Sequence, residues 1–371
     1  MKIGIVTDFY YPWIGGPAAL IRALGQGLSL RSHQIELLAP SPSGEPCREH
    51  EGSVRITRAA TVASPVGHNL RMCVRPIRAA RRWLDDVQPD VLHVHHPFPL
   101  SAAVILEARR RRIPVIATNH TIPACSLWGI RRFTALHRTL EWAFGSWIVW
   151  LLGKCQSVIT PTATAADLLR QLGFTGAIEV ISNGIDFDRF RAGRRNSALR
   201  QRLMLDSRPV VLYTGRLDAE KQMDVWLRAA AHLRQSYDAQ FIVGGEGGDR
   251  SRLEQLARDL DLTPSTRFIG YLPSNDLPDL YALADVYFIT SPVELQSIST
   301  LEALAAGLPV VGVRSGALPE LILHGENGYC AAPGDAKGLA HHLLEILQDA
   351  AGQCRMRECS SNVAAGHQLE A

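Results

Sequence analysis

The sequence predicts an α/β protein made of two Rossmann-like, doubly wound parallel-sheet domains that face each other across a cleft. Three observations predict it. Short β-branched apolar runs alternate with longer helical patterns. The alternation runs twice along the chain, with a polar stretch between. And 371 residues are long for one domain but comfortable for two, each burying its own core. The expected division is an N-terminal domain over 1–188, a linker over 189–206 and a C-terminal domain over 207–371.

In order, the first half reads as strands near Lys2–Val6, Gln34–Ala39, Val91–Val94, Ile113–Thr118, Ser157–Thr160 and Ile178–Ile181. Asn183 to Asp206, rich in Arg, Asp, Gly and Asn, interrupts the pattern. The second half resumes with strands near Pro209–Thr214, Gln240–Val243, Thr266–Ile269, Asp285–Ile289, Pro309–Val313 and Gly328–Ala331. Helices fill the gaps, among them Ala18–Leu30, Arg71–Val87, Arg252–Leu260 and Ser299–Ala306.

The composition, 46% hydrophobic and 20% charged, is that of an ordinary globular protein. Seven scattered cysteines, at 47, 73, 125, 155, 330, 354 and 359, include no Cys-x-x-Cys pair. They argue against a disulfide framework or a zinc site and for a reducing compartment. Lys2-Ile-Gly-Ile-Val-Thr7 reads as a buried strand, not a signal peptide. The longest apolar run, Trp142 to Leu152, has 11 residues, too few to span a bilayer. The expected location is cytoplasmic, with peripheral attachment to the inner face of the membrane as the alternative. Residues 1–190 carry 21 Lys+Arg against 14 Asp+Glu, or +7, and the remainder carries 18 against 22, or −4. A basic half and an acidic half point to different partners, and nothing points to nucleic acid.

Open parallel sheets bind ligands at the carboxyl ends of their strands. The residues there are polar: Thr7-Asp8, His93-Val-His95-His96, Asn119-His120, Thr214-Gly-Arg216, Gly244-Gly245, Gly270-Tyr271 and Ser291 to Glu294. After the first strand, Gly15-Gly16-Pro17 suits either close approach to an anion or a plain strand-to-helix turn. Gly215-Arg216-Leu-Asp-Ala-Glu220-Lys221 puts two cations on one loop, able to stabilise a diphosphate leaving group or simply to form a solvated helix start. In Ser291-Pro-Val-Glu294-Leu-Gln-Ser297-Ile-Ser-Thr-Leu-Glu302, a loop acid and a helix acid stand eight residues apart and can hold several hydroxyls.

With these residues in hand, the chain resembles, over nearly its full length, a family 4 retaining glycosyltransferase of the GT-B fold. The closest likeness is to bacterial lipid glycosyl- and mannosyltransferases. Glu294/Glu302, the 215–221 stretch, Asn183-Gly-Ile-Asp186 and the Gly15-Gly16 loop occur in the family's order. The resemblance implies that Arg216 and Lys221 hold the donor diphosphate, that Glu302 holds its ribose, and that Glu294 contacts the transferred sugar. It implies that His120 lies near the reacting sugar and that Gly16 belongs to the loop that closes on the donor. Ile269, at a strand end, and Ser297, where the helix begins, complete the expected donor set; His120 and Glu294 are the expected catalytic residues. Leu295-Gln296-Ser297 departs from the Gly-Phe-Gly frequent after the first glutamate. The family's usual final helix, which crosses back to the first domain, is expected to be short or missing.

The resemblance also implies the reaction: a hexose, mannose or glucose, passes from a nucleotide-diphosphate sugar, GDP-mannose or UDP-glucose, to an acceptor hydroxyl. No metal and no other cofactor is expected. Asp186-Phe-Asp188 has metal-motif spacing but lies where the family has no metal. Gly244-Gly-Glu-Gly-Gly248 lacks the downstream acid of a dinucleotide fingerprint and reads as a phosphate-side turn. His93, His95 and His96 have no carboxylate or thiolate partner nearby, so core packing or acceptor-side lining is expected of them.

On the acceptor side, Arg71, Arg75, Arg78 and Arg82 recur as one stripe of a helix beside Trp83, with Arg109–Arg112 and Arg131-Arg132 in the same domain. The stripe suits an anionic membrane surface or a solvated face. Trp142, Trp147 and Trp150, with Phe144, read as a core helix. His95-His-Pro-Phe-Pro-Leu and Ala117-Thr-Asn-His-Thr-Ile-Pro resemble relatives that glycosylate membrane lipids, so the expected acceptor is a glycolipid or phospholipid headgroup. The alternatives are a sugar-nucleotide epimerase on the same fold and a non-catalytic peripheral lipid-binding protein.

Overall fold

The computed structural model describes residues 1–12, 16–64, 71–123 and 134–369, excluding the side chains of 134–136. Gly15, Cys125 and Arg131-Arg132 lie outside these residues. The chain divides into two compact units, 1–182 and 183–371.

Unit 1 contains the strands β1 (Lys2–Thr7), β2 (Gln34–Pro40), β3 (Cys47–Glu51), β4 (Val54–Ala59), β5 (Thr61–Ala63), β6 (Arg71–Cys73), β7 (Val91–His95), β8 (Val115–Thr118), β9 (Ser157–Thr160) and β10 (Ile178–Val180). Its helices are α1 (Gly16–Leu30), α2 (Pro76–Val87), α3 (Pro99–Arg111), α4 (Thr134–Leu152) and α5 (Ala163–Gln171). Among the described residues the main sheet has the order β10-β9-β8-β7-β1-β2-β4-β3. Its pairs are parallel except β3–β4. β5 and β6 pair separately as an antiparallel hairpin.

The period-2 alternation of β1 sorts the core. Ile3 and Ile5 pack with Ile21 of α1, while Val6 packs with Leu84 of α2 and Val104 of α3. Helices therefore cover both faces, as a parallel sheet requires.

Unit 2 contains β11 (Val210–Thr214), β12 (Gln240–Gly244), β13 (Thr266–Gly270), β14 (Val286–Phe288), β15 (Val310–Val313) and β16 (Gly328–Ala331). Its helices are α6 (Phe187–Arg191), α7 (Ser197–Arg202), α8 (Met223–Arg234), α9 (Arg250–Asp259), α10 (Leu277–Leu283), α11 (Ile298–Ala305), α12 (Leu318–Leu321), α13 (Ala336–Gln348) and α14 (Ala350–Ala365). The sheet order is β13-β12-β11-β14-β15-β16, all parallel. β11, β12 and β14 are buried throughout, which is why they read as continuous apolar runs.

Four expectations are corrected. The stretch expected as a linker, 189–206, lies wholly in unit 2: Asp186 and Asn196 cap α6 and α7, and Phe190 and Leu199 enter the unit 2 core. Apolar residues spaced through a charged stretch outweigh its composition. The stripe Arg71, Arg75, Arg78, Arg82 is not one helical face. Pro76 starts α2, because the residue before a proline is disfavoured in a helix. Arg75 is therefore the cap and Arg71 sits in β6, its Nε donating to Thr61 Oγ1 at 2.8 Å. The tryptophan helix is a core helix on one side only: Ile148 and Leu152 are buried with Phe144 packed against them, whereas Trp142 is 73% exposed. The final helix is not short, since α14 runs for 16 residues.

Candidate active site

In unit 2 the strand order reverses between β11 and β14, and such a switch point is where an open α/β sheet binds its ligand. The two loops that leave these strands carry the expected donor residues. The loop after β11 holds Arg216 and Lys221; the loop after β14 holds Glu294 and leads into α11 with Glu302.

Lys221 Nζ donates to Glu294 Oε1 at 2.8 Å, with side chains 18% and 12% exposed. Burial pushes the Glu294 carboxyl up, but the Lys221 ammonium, its hydrogen bond and the nearby Arg216 outweigh it and hold the group below its usual range. Burial lowers Lys221, and the Glu294 charge more than reverses that. Each partner keeps the other ionised. The result is a preformed cation next to a carboxylate that can only accept hydrogen bonds.

Arg216 is half-exposed, and its guanidinium pairs with Asp218 and with Glu220 Oε1 at 2.6 Å. Glu220 therefore serves Arg216, not the adjacent Lys221. The loop is packed tightly from below. Gly245, after β12, has φ +132°, and a Cβ there would lie 1.8 Å from the Gly215 carbonyl oxygen. No other residue fits. The run 244–248 therefore acts as a floor for the cation loop, with Leu217 N donating to Glu246 O at 2.9 Å.

The Glu294 backbone is fixed in a similar way. Ala317 N donates to its carbonyl at 2.8 Å, and Gly316, φ +57°, leaves no room for a Cβ, which would stand 2.7 Å from that oxygen. Ser297 caps α11, its hydroxyl accepting from Thr300 N at 3.2 Å, so its expected donor contact competes with a structural bond. Leu295 and Gln296 are buried, and Gln296 Oε1 accepts from Asn183 N at 2.8 Å.

Glu302 accepts from Tyr281 Oη at 2.6 Å, and Tyr281 Oη also meets Thr214 Oγ1 at 2.5 Å. Burial pushes the Glu302 carboxyl up to about 7, opposed by the Tyr281 bond and the Arg189 charge. Ile269 lies on β13, beyond β12 from the switch point, half-buried beside Gly244.

Unit 1 has its own switch point, between β1 and β7. Histidines collect there. His120, just after β8, bonds His95 Nδ1 through Nε2 at 3.1 Å, and the rings stack at 5.4 Å. His93 Nε2 meets Thr118 Oγ1 at 2.7 Å, and His96 Nδ1 meets Thr7 Oγ1 at 3.3 Å. Burial, reinforced by neighbouring imidazoles, pulls His95 and His120 well below the usual range, and burial brings His93 and His96 down to about 4. The cluster is neutral at physiological pH. Among the described residues no group of three or more His, Cys, Asp or Glu is placed to hold a metal.

Asp8 accepts from Leu100 N and Ser101 N at 3.0 and 3.2 Å. It caps α3, although burial raises its carboxyl to about 6. Gly16 opens α1. Asp186 caps α6, accepting from Arg189 N at 3.2 Å, which accounts for that acid of the Asp186/Asp188 pair.

The structure thus brings Lys221 and Glu294 into contact with Arg216 close by, and His120 together with the His93–His96 run. Three partners had no signal in the sequence reading. Tyr281, 21 residues from Glu302, holds it through tertiary contact. Asp218 and Gly316 sit beside motif residues but resemble ordinary loop residues.

Residues 196–363 match the family described as glycosyl transferases group 1, and residues 14–189 match glycosyltransferase family 4. The chain belongs to these glycosyltransferases. It is 28% identical to a GDP-mannose-dependent alpha-mannosyltransferase of Corynebacterium glutamicum, over 88% of this chain and 76% of that one. It is 25% identical to the alpha-monoglucosyldiacylglycerol synthase of Acholeplasma laidlawii, over 94% and 89%. It shares its fold with a sucrose-phosphate synthase from Thermosynechococcus elongatus at a TM-score of 0.81 and 20% identity, over 100% and 95%. The chain thus carries both glycosyltransferase domains, on a GT-B fold.

Proposed function

We propose that this glycosyltransferase is a retaining hexosyltransferase, moving mannose or glucose from GDP-mannose or UDP-glucose to a hydroxyl of a membrane glycolipid or phospholipid headgroup. The observation that carries the reading is the buried Lys221–Glu294 pair at the unit 2 switch point, with Arg216 beside it. As the anomeric C–O bond breaks, charge builds on the diphosphate. Lys221 and Arg216 are held in place to meet it, so no metal is required for that charge. Glu294 accepts hydroxyls of the transferred sugar, Glu302 those of the ribose, and Ile269 and Ser297 complete the donor contacts. His120, neutral, orients the reacting sugar; Gly16 lies in the loop that closes on the donor.

In the retaining route the acceptor oxygen bonds the anomeric carbon on the face that the phosphate leaves. The acceptor proton passes to a departing phosphate oxygen, so no separate protein base is consumed. Mannosyl transfer has the support of the Corynebacterium relative's name, and a lipid acceptor that of the Acholeplasma relative's. Among the described residues no helix is long and apolar enough to cross a membrane. Attachment would be peripheral, with Arg75, Arg78 and Arg82 exposed beside exposed Val62, Met72, Val74 and Ile77.

Nucleotide diphosphate release, measured across GDP-, UDP- and ADP-sugars with and without lipid acceptors, tests the reading. The product's anomeric configuration is then read by NMR. Acceptor-dependent release with retained configuration is expected. Turnover of donor without acceptor would point to an epimerase, no release to a binding protein, and an inverted product would overturn retention.

A further inference from the structure

Helix α4 turns an aromatic face outward. Trp142 is 73% exposed, Trp150 46%, Trp147 38% and Leu140 37%. Ala143 and Ser146 are exposed between them. Positions 142, 146 and 150, and 140, 143 and 147, recur at helical spacing, so the indoles share one side. The opposite side anchors the helix: Ile148 and Leu152 are buried with Ala117, Val158, Leu169 and Phe174. Apart from one hydrogen bond from Trp147, the tryptophans are therefore not what holds α4 to unit 1, and three indoles on one outward face make a patch that suits a partner.

The face is also ordered and carries a distinct charge pattern. Trp147 and Trp150 stack at 5.3 Å, and Trp147 Nε1 donates to Pro97 O at 2.8 Å. Cations stand at both ends: exposed Arg138, and Lys154, whose ammonium lies 5.1 Å from the Trp150 ring centre. Between them the sequence holds a single acid, Glu141, which is half-buried and turned to His137 Nδ1 at 3.3 Å.

We propose that this face of α4 docks on an anionic lipid bilayer. The helix lies in the headgroup layer, with Trp142, Trp147 and Trp150 inserted and Arg138 and Lys154 on lipid phosphates. Indoles, apolar with one N–H donor, suit the membrane interface. The cationic ends complement anionic headgroups. They oppose a second copy of the chain: twofold pairing of this face sets Arg138 against Lys154 or each against itself, with no exposed acid between. The inference is independent of the acceptor's identity, since an enzyme with a water-soluble acceptor can still dock.

The test is co-sedimentation of the full chain with phosphatidylglycerol–phosphatidylcholine vesicles, alongside quenching of tryptophan fluorescence by brominated lipid. The parent should sediment and be quenched. W142S/W150S should lose at least about tenfold in partitioning and most of the quenching, with donor-induced thermal shift unchanged as the check on folding. R138S/K154S should weaken binding at low salt only, because screening removes the ionic part and leaves the indoles. A parent that neither sediments nor is quenched overturns the proposal, even if it turns over a lipid acceptor. So does a double variant that partitions like the parent. Sedimentation velocity showing a dimer that W142S/W150S dissolves would give the face to a second copy and also overturn it.

Discussion

Replacing Lys221 with alanine removes the cation at the unit 2 switch point and leaves the Glu294 carboxyl, 12% exposed, without its partner. Two effects can be separated. If Lys221 meets charge on the leaving diphosphate, losing one preorganised donor costs about 2–4 kcal/mol in the transition state, or roughly 30- to 1,000-fold in kcat/KM. Breaking a buried pair also destabilises the fold, by about 3–5 kcal/mol where burial is complete and towards the low end here, because Glu294 can take up a proton. That second cost depends on pH. In the parent, Glu294 is held below 4.5, so its stabilisation is present above that pH and fades as pH falls through the folded value. In the variant, burial, the largest cause, is opposed only by the Ser291 hydrogen bond and the Arg216 charge, and it raises the carboxyl. The folded state then binds the proton more tightly than the unfolded chain, and stability falls as pH rises above 4.5. Melting temperature across pH and nucleotide diphosphate release together read both. K221A/E294Q should regain most of the lost stability and none of the activity. Parent-like kcat/KM in Lys221→Ala would refute the clamp. A double variant no more stable than K221A would refute the account of the pair.

Glu302, at about 7 through burial, must be ionised to accept two ribose hydroxyls. Donor binding should therefore release protons near neutral pH and strengthen as pH rises through that value; calorimetry in buffers of different ionisation enthalpy that finds no release would refute the ribose contact. His95 keeps a buried Nε2 without a partner among the described residues, a cost of about 1–3 kcal/mol. His95→Phe should leave the melting temperature unchanged or higher while lowering kcat roughly tenfold or more by freeing His120; a stability loss with normal kcat would show His95 to be structural only. Transfer should persist in excess EDTA, and loss restored by magnesium or manganese would bring in a metal. Charge-neutral replacement of Arg75, Arg78 and Arg82 should weaken anionic-vesicle binding by about 1 kcal/mol per residue at low salt, and equal binding by parent and variant would make them a solvated patch.

The two parallel sheets, and where the carboxyl ends of their strands lie, are legible in the sequence alone. Buried parallel strands must be continuous apolar runs, and the polar residues that follow them are therefore visible, as Arg216, Glu294 and His120 were. Helix starts are legible where a cap or proline marks them, and Pro76 is the residue that takes Arg71 and Arg75 out of the Arg71–Arg82 stripe. Tertiary structure decided what local pattern leaves open. Phe190 and Leu199 place 189–206 in unit 2, because burial of a few apolar side chains outweighs a polar composition. Lys221 and Glu294 are 73 residues apart, and no spacing rule links them; their contact exists because β11 and β14 are neighbours in the sheet. The same holds for Tyr281 under Glu302 and for His95 against His120. Whether the tryptophans of α4 face inward or outward depends on which side of an apolar helix meets the sheet. Composition is the same for both answers, and only the packing of Ile148 and Leu152 distinguishes them.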